Sequence, residues 1–189
     1  MGKCPHDISM KQNVGFLPEN PYYYDYLTGP ELLQFYASLF SLEAQIVRTR
    51  IEQLLELVEL HNAKKLHLRH YSKGMLERIG LAASLINDPE ILILDEPTTG
   101  LDPIGCRDTR NHLLQLKQQG KTILLSSHFL SEVERVCDRI AIFHRGYLLA
   151  VGTLDDLNRQ YQATNLEDLF VKTISSFDKQ QVAKTGDAI

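Results

Sequence analysis

Two spacings of apolar side chains alternate along this chain, and they predict helices and buried strands in turn. Helical spacing is clearest over residues 71–86, where the apolar positions are Met75, Leu76, Ile79, Ala83 and Ile86. Ser72 stands where it can cap this helix, and Pro89 ends it, because proline disfavours helix at the residue before it. Residues 91–94 form an uninterrupted apolar run, which predicts a central parallel strand covered on both faces.

The same patterns predict the other elements. Further strands are predicted over residues 13–18, 121–127 and 139–143, the last of these pairing in a hairpin with 147–151. Further helices are predicted over residues 28–42, 43–60, 102–119, 129–137, 153–161 and 165–174. The fold class is therefore α/β, with a parallel sheet core and an inserted all-helical subdomain.

We predict a single domain with four parts. Residues 1–19 carry the first strand, residues 20–88 the helical subdomain, residues 89–174 the rest of the core, and residues 175–189 a flexible tail. The length of 189 residues suffices for one domain with a sizeable core.

Composition and charge narrow the class of protein. The chain is 43% hydrophobic and 23% charged, and its formal net charge of -4 predicts no nucleic-acid partner. No apolar run approaches the ~18 residues of a membrane span, and the polar start predicts no signal peptide. Cys4, Cys106 and Cys137 are widely separated, which favours free thiols in a reducing compartment over a metal site.

Asp95 and Glu96 follow the predicted central strand at its carboxyl end, where open α/β sheets bind their ligands. Two adjacent carboxylates there suit a magnesium–phosphate site, since one can hold the cation while the other orients or deprotonates a water. The alternative is a pair of solvated loop acids.

The predicted helix behind Ser72 offers a second phosphate-binding feature. A helix N-terminus has unpaired N–H groups and the positive end of the helix dipole, Ser72 adds a hydroxyl donor, and Gly74 allows close backbone approach. The alternative is an ordinary helix cap without a ligand. His67 and His70 favour a solvated loop over a metal site, because no acidic or cysteine residue stands near them in sequence.

From about residue 14 to residue 174 the chain resembles the ABC ATPase family. The segment YSKGM at 71–75 stands where that family has its LSGGQ signature, ILILDE at 91–96 resembles its Walker B strand, and TTGLDP at 98–103 resembles its D-loop. The resemblance implies a three-layer fold of the P-loop NTPase type and the cofactors ATP and Mg²⁺.

The resemblance also implies roles for individual residues. Asp95 and Glu19 would hold magnesium, with Glu19 standing where most relatives have the glutamine of the Q-loop. Glu96 would be the general base for water. His128 would sense the γ-phosphate.

Four signature residues and one D-loop residue would serve ATP held by the opposite subunit: Ser72, Lys73, Gly74, Met75 and Asp102. Lys73 replaces a glycine and Met75 replaces the glutamine of LSGGQ, and the bulk of Lys73 could hinder close approach.

The implied partners are an integral membrane permease subunit of the ABC-2 type and a second ATPase subunit, and the implied location is the cytoplasmic face of the cell membrane. The tyrosine-rich turn NPYYYDY at 20–26 favours core packing and a permease contact about equally.

The 189 residues contain no phosphate-binding loop of the form GxxxxGK[ST]. The nearest sequence, Gly120-Lys121-Thr122, follows a helix and precedes a strand, which is the reverse of the order a P-loop needs. We therefore expect an ABC ATPase domain without its N-terminal third and the strand carrying the P-loop, with weak or no ATP binding and activity alone. The alternatives are a non-catalytic subunit that lends its signature face to an intact ATPase, and a soluble relative that works without a permease.

Overall fold

The computed structural model describes residues 8–186, and side chains are described for residues 10–179. The chain divides into two compact units, Met1–Ser127 and His128–Ile189, and each is described by itself. The finer predicted division at residues 19, 88 and 174 stays a prediction.

The first unit is built on a three-stranded parallel sheet, which confirms the α/β fold class. Its strands are β1 (Val14–Leu17), β2 (Ile91–Asp95) and β3 (Thr122–Ser126), in the order β1-β2-β3. Leu17 pairs with Leu94, and Asp95 pairs with Ser126. Because the strands are parallel, their carboxyl ends meet at one edge of the sheet.

Helices make up most of the remaining first unit. They are α1 (Ile8–Lys11), α2 (Gly29–Ser38), α3 (Ala44–Leu57), α4 (Lys73–Ser84) and α5 (Pro103–Gln118), with short 3₁₀ helices at His61–Ala63 and Leu68–His70. The start of α2 is a capping box: the Glu31 carboxylate accepts a 2.7 Å bond from the Thr28 N–H, and the Thr28 hydroxyl accepts from the Glu31 N–H at 3.4 Å. This confirms the predicted start of that helix.

Helix α4 lies very close to strand β1, and a glycine makes that approach possible. A Cβ on Gly15 would collide with the Ser84 carbonyl oxygen at the end of α4 and would stand 2.8 Å from Leu92 Cδ2. Ile79, at the centre of α4, is fully buried. The predicted helix is therefore confirmed, and it packs where its apolar positions require.

The sheet has one covered face and one open face. The covered face carries Leu17 of β1 and Leu92 and Leu94 of β2, which are at most 2% exposed. The open face carries Phe16, Ile93 and Leu124, which share one row of the strand register. Phe16 is 58% exposed and Leu124 is 63% exposed. The prediction that β2 is covered on both faces therefore holds on one face, while the residues on the other remain partly exposed.

The second unit combines a hairpin with three helices: α6 (Leu130–Val136), β4 (Ile140–His144), β5 (Tyr147–Gly152), α7 (Leu154–Tyr161) and α8 (Leu166–Gly186). Strands β4 and β5 are antiparallel, as predicted, and Arg145 and Gly146 form their turn with positive φ values of 48° and 81°. The core of this unit consists of Ile140, Ile142, Ala150, Leu157, Leu166 and Leu169.

Helix α8 runs past residue 174, where we predicted its end, and continues to Gly186. Residues 175–185 contain neither proline nor glycine, so nothing in the sequence stops the helix before that glycine. The added turns also make contacts: the Asp178 carboxylate lies 3.3 Å from the Arg145 guanidinium of the hairpin turn. Among the described residues, no helix has both the length and the apolar character needed to cross a bilayer.

Candidate functional site

The acidic residues after β2 stand at the carboxyl edge of the sheet, beside the end of β3. Asp95 is exposed, and its Oδ1 accepts a 2.5 Å hydrogen bond from the Ser126 hydroxyl. This bond fixes one carboxylate oxygen of Asp95 against the neighbouring strand. Sequence reasoning missed Ser126, although a hydroxyl residue at the end of a strand next to β2 was a usable signal.

Glu96 turns the chain away from the sheet in the left-handed region of backbone space, with φ at 51°. Its backbone N–H is shared between the Ser126 carbonyl oxygen at 3.2 Å and the Ser126 hydroxyl oxygen at 3.1 Å. Its carboxylate accepts a 3.0 Å bond from the Thr99 hydroxyl. Backbone and side chain of Glu96 are therefore both held, by different elements.

The N-terminus of α4 is capped as predicted. Ser72 has an extended backbone, and its hydroxyl accepts a 3.2 Å bond from the Met75 N–H. Ser72 and Lys73 are exposed, while Gly74 and Met75 are half-buried. The free N–H groups of this first turn are therefore within reach of an anion.

The start of α4 lies against the segment that follows β2. A Cβ on Gly100 would collide with Lys73 Nζ, so the lysine side chain passes directly over that glycine. Gly100 has φ at 72°, which glycine adopts without strain. A Cβ on Gly74 would lie 3.8 Å from Leu101 Cδ2, which is an ordinary contact. The two stretches identified from sequence, 71–75 and 98–103, are thus neighbours in space.

Asp102 caps α5, and its Oδ1 accepts a 2.7 Å bond from the Gly105 N–H. It remains exposed, so capping leaves part of the carboxylate accessible. Cys106 is half-buried, and its Sγ lies 3.7 Å from the Thr98 carbonyl oxygen. Cys137 is also half-buried, and Cys4 lies outside the described residues.

Glu77 is a buried acid that sequence reasoning missed. It is 7% exposed on α4, where burial raises its pKa to about 7 against the opposing charge of Lys73. It borders a cavity of about 10 Å³ whose other walls include Leu17, Leu94 and Leu113, room for about one water. Its spacing could have indicated the burial, because Glu77 stands four residues before the apolar Leu81 and therefore lies on the same face of the helix.

Glu19 and His128 complete the predicted set. Glu19 is exposed and stands two residues beyond the end of β1, at the same sheet edge as Asp95. His128 is the first residue of the second unit, and its ring lies 4.2 Å from that of Phe129. The roles assigned to both residues stay predictions.

Within residues 10–179, no cluster of three or more histidine, cysteine, aspartate or glutamate side chains is arranged to hold a metal ion. Magnesium bound with a nucleotide takes most of its ligands from phosphate and water, so one or two carboxylates fit its needs. Asp95 and Glu19 fit that donor set. His67, which was considered above as a metal ligand, instead makes a hydrogen bond within the fold: its Nδ1 lies 2.7 Å from the Tyr26 carbonyl oxygen.

The tyrosine-rich turn at 20–26 has one tyrosine that packs inward and three that are exposed, and its contact with a permease stays a prediction. Tyr23 packs inward, and a Cβ on Gly80 would collide with its hydroxyl oxygen. Tyr22, Tyr24 and Tyr26 point outward, with exposures of 99%, 55% and 60%.

A parallel sheet with an acidic pair at its carboxyl edge, beside a capped helix N-terminus, is an arrangement typical of nucleotide-binding α/β proteins. The chain belongs to the ABC transporter family: the family model described as "ABC transporter" matches residues 4–99. Within that family it is similar to ATP-binding proteins.

Three comparisons describe this similarity. An uncharacterized ABC transporter ATP-binding protein of Nostoc is 53% identical over 83% of this chain and 48% of its own length. The bacitracin transport ATP-binding protein BcrA of Enterococcus faecalis is 40% identical over 85% of this chain and 52% of its own. A solved structure of the ATP-binding subunit of an ABC transporter aligns with a TM-score of 0.78 at 32% identity, covering 88% of this chain and 70% of that one. The chain thus spans about half the length of the first of these relatives.

Proposed function

We propose that this chain is an ATP-binding and ATP-hydrolysing subunit that drives an ABC-2 type membrane permease from the cytoplasmic face of the membrane. The observation that carries the proposal is the sheet edge where Ser126 holds Asp95 and Glu96 together. Family membership supports nucleotide binding, and the contact between residues 71–75 and the 98–103 segment supports two motifs acting as one unit.

In the proposed mechanism, Asp95 and Glu19 would hold a magnesium ion, which would neutralise charge on the phosphates. The Ser126 hydroxyl donates to Oδ1 of Asp95, and in this proposal Oδ2 of Asp95 would bind the ion. Glu96 accepts a proton from the attacking water, and its bond from Thr99 keeps the carboxylate in one orientation. His128 contacts the γ-phosphate in this proposal.

The signature residues act on ATP held by a second ATPase subunit. The first turn of α4 presents backbone N–H groups and the Ser72 hydroxyl to the γ-phosphate, and Lys73 and Met75 flank it. Gly74 keeps that approach open, since it lacks a side chain. Asp102 crosses to the same subunit, using the part of its carboxylate that capping leaves accessible.

The permease contact is proposed at the tyrosine-rich turn. Tyr22, Tyr24 and Tyr26 are exposed, and Tyr24 packs edge-on against the partly exposed Phe35 at 5.9 Å. An exposed group of aromatic side chains is typical of a protein contact surface. The name of the relative from Enterococcus faecalis, a bacitracin transport protein, supports a transport role.

A second candidate is a non-catalytic subunit that contributes only its signature face. It is favoured by one observation, that the 189 residues contain no GxxxxGK[ST] sequence. The two candidates make different predictions for Glu96, which allows one experiment to separate them.

The experiment measures ATP turnover of this chain mixed with an intact subunit of the family that carries its own P-loop. If this chain hydrolyses ATP, Glu96→Gln lowers the turnover that this chain itself contributes by about 10²-fold or more, because the base is lost. If this chain contributes only its signature face, Glu96→Gln changes turnover little. Gly74→Asp then abolishes the turnover of the mixture in excess of that of the intact subunit alone.

Gly74→Ala is the matched control, because a methyl group there makes only an ordinary contact with Leu101 and leaves the fold intact. Turnover that never exceeds that of the intact subunit alone would contradict both candidates. Circular dichroism of each variant verifies that the fold is retained.

A further inference from the structure

Tyr71 is buried directly beside the exposed start of α4. Its side chain is 7% exposed, whereas the next two residues, Ser72 and Lys73, are exposed. Tyr71 stands at the first position of the stretch 71–75, where the LSGGQ signature has leucine. Leucine packs as an apolar side chain but has no hydrogen-bonding group. The phenolic hydroxyl is therefore a feature of this chain that apolar packing at the position does not require.

The Tyr71 hydroxyl is held by two other elements of the first unit. It donates a 3.2 Å hydrogen bond to the carbonyl oxygen of Ala63, at the end of the 3₁₀ helix His61–Ala63. Burial raises the pKa of the phenol, and a hydrogen bond from the backbone of Gly29, the first residue of α2, opposes that rise. A Cβ on Gly29 would stand 2.9 Å from the hydroxyl oxygen, so this glycine leaves the space that the oxygen occupies. Tyr71 thus uses its hydroxyl both as donor and as acceptor.

The elements that hold this hydroxyl are themselves fixed. The start of α2 is closed by the capping box at Thr28, and the Ala63 N–H donates a 3.0 Å bond to the carbonyl oxygen of the buried Leu60. The backbone of Tyr71 is held as well, because its N–H donates to the Leu68 carbonyl oxygen at 2.9 Å. Consecutive Cα atoms are about 3.8 Å apart, so fixing Tyr71 at its backbone and at the far end of its side chain restricts where Ser72 can stand.

We propose that Tyr71 is a positioning residue, whose hydroxyl fixes Ser72 and the first turn of α4 where they contact the γ-phosphate of ATP held by a second subunit. The identity of that anion rests on the proposed function, whereas the anchoring itself rests on the contacts of the hydroxyl. Exact placement matters at such a face, because a displacement of about 1 Å can lower a rate by about 10²-fold. Phenylalanine at position 71 would keep the ring and lose both hydrogen bonds.

The first test measures amide hydrogen exchange of the 189-residue chain by NMR. The reporter is the Met75 N–H, which donates to the Ser72 hydroxyl at the helix start. Tyr71→Phe is expected to speed its exchange by about five-fold or more, because local opening of the first turn becomes easier when its anchor is lost. Ser84→Ala is the matched control, since it removes a buried hydroxyl that donates to the Leu81 carbonyl oxygen at the other end of α4. It should leave the Met75 exchange rate unchanged.

Gly29→Ala disturbs the same anchor from its other side. The added methyl group displaces the Tyr71 hydroxyl, so this variant is also expected to speed exchange of the Met75 N–H. Combined with Tyr71→Phe it should add little, because the phenylalanine ring lacks the oxygen that the methyl group would meet. Fully additive effects of the two substitutions, or a Met75 exchange rate that Tyr71→Phe leaves unchanged, would overturn the proposal.

The second test measures the ATP turnover that this chain adds to an intact subunit of the family, at saturating concentrations of this chain. Tyr71→Phe is expected to lower the added turnover by about ten-fold, while Ser84→Ala leaves it unchanged. A merely structural role of Tyr71 would reduce the folded fraction, which more of the chain would compensate, so unchanged turnover at saturation would overturn the proposal. If even the unmodified chain adds no turnover, the proposed function is contradicted, and the Met75 exchange rate still decides whether Tyr71 fixes the start of α4.

Discussion

The two faces of the parallel sheet are made of similar residues and have opposite environments. Leu92 and Leu94 on the covered face are at most 1% exposed beneath α4 and α5, whereas Leu124 on the open face is 63% exposed. Both faces are apolar along β2, and that pattern predicts cover on both sides. The apolar sequence of β2 therefore predicts a buried strand, but it does not identify the elements that cover each face.

The comparison predicts that one substitution has two very different costs. Leu92→Ala on the covered face should lower the free energy of unfolding by about 2–5 kcal/mol, because it leaves a cavity between β2 and the helices. Leu124→Ala on the open face is the matched variant and should cost less than about 1 kcal/mol. Urea unfolding followed by circular dichroism measures both values, and equal costs would contradict the assigned faces.

Glu77 packs against the covered face of the sheet, where it borders the same small cavity as Leu17 and Leu94. Its pKa is raised from an ordinary 4.5 to about 7, so the folded state binds a proton more tightly than the unfolded chain between those values. The free energy of unfolding should therefore fall as pH rises through that window and stay low above it. Glu77→Gln should remove this fall and stabilise the protein at pH 8 by on the order of 2 kcal/mol.

The measurement for Glu77 is the urea midpoint at a series of pH values from 5 to 8. Glu90→Gln is a suitable control, because Glu90 is exposed on the loop before β2. The account of Glu77 is wrong if its glutamine variant keeps the full pH dependence of the unmodified chain.

The smallest effect on stability is expected from polar substitutions on the open face. Replacing Phe16 and Leu124 together by threonine keeps a strand-favouring residue at both positions and should change the free energy of unfolding by about 1 kcal/mol or less. It should also reduce self-association, because large exposed apolar patches promote it. Sedimentation velocity at increasing protein concentration measures this self-association. If the double variant associates as strongly as the unmodified chain, the open face is not the surface responsible.

Much of the fold could be predicted because its signals are local. The start of α2 after Thr28, the N-cap Ser72 and the strand β2 each rest on a few neighbouring residues, and the structure confirms them. The end of α8 was missed because the contacts of Asp178 with the hairpin turn join residues distant in sequence. Local pattern carried no information about those contacts.

The candidate site likewise combines residues that local sequence identifies with residues whose contacts depend on distant parts of the chain. Asp95 and Glu96 were identifiable from their place after a buried strand, and Asp102 from the resemblance of residues 98–103 to the D-loop. The Ser126 hydroxyl was not, because its bond depends on the register between β2 and β3, which the single sequence leaves undetermined. The burial of Glu77 and the passage of Lys73 over Gly100 likewise depend on how α4 packs.

At Glu96, the left-handed backbone conformation lowers the stability of the fold, while the side chain supplies the proposed general base. A side chain costs roughly 1–2 kcal/mol in that conformation relative to glycine, so Glu96→Gly should relax the turn after β2 while deleting the proposed base. Selection for thermal tolerance alone would therefore favour glycine at this position, and selection for turnover would favour glutamate. A library screened separately for heat resistance and for ATP hydrolysis should diverge at this residue, and glutamate enriched by the heat screen would argue that its carboxylate is a structural anchor.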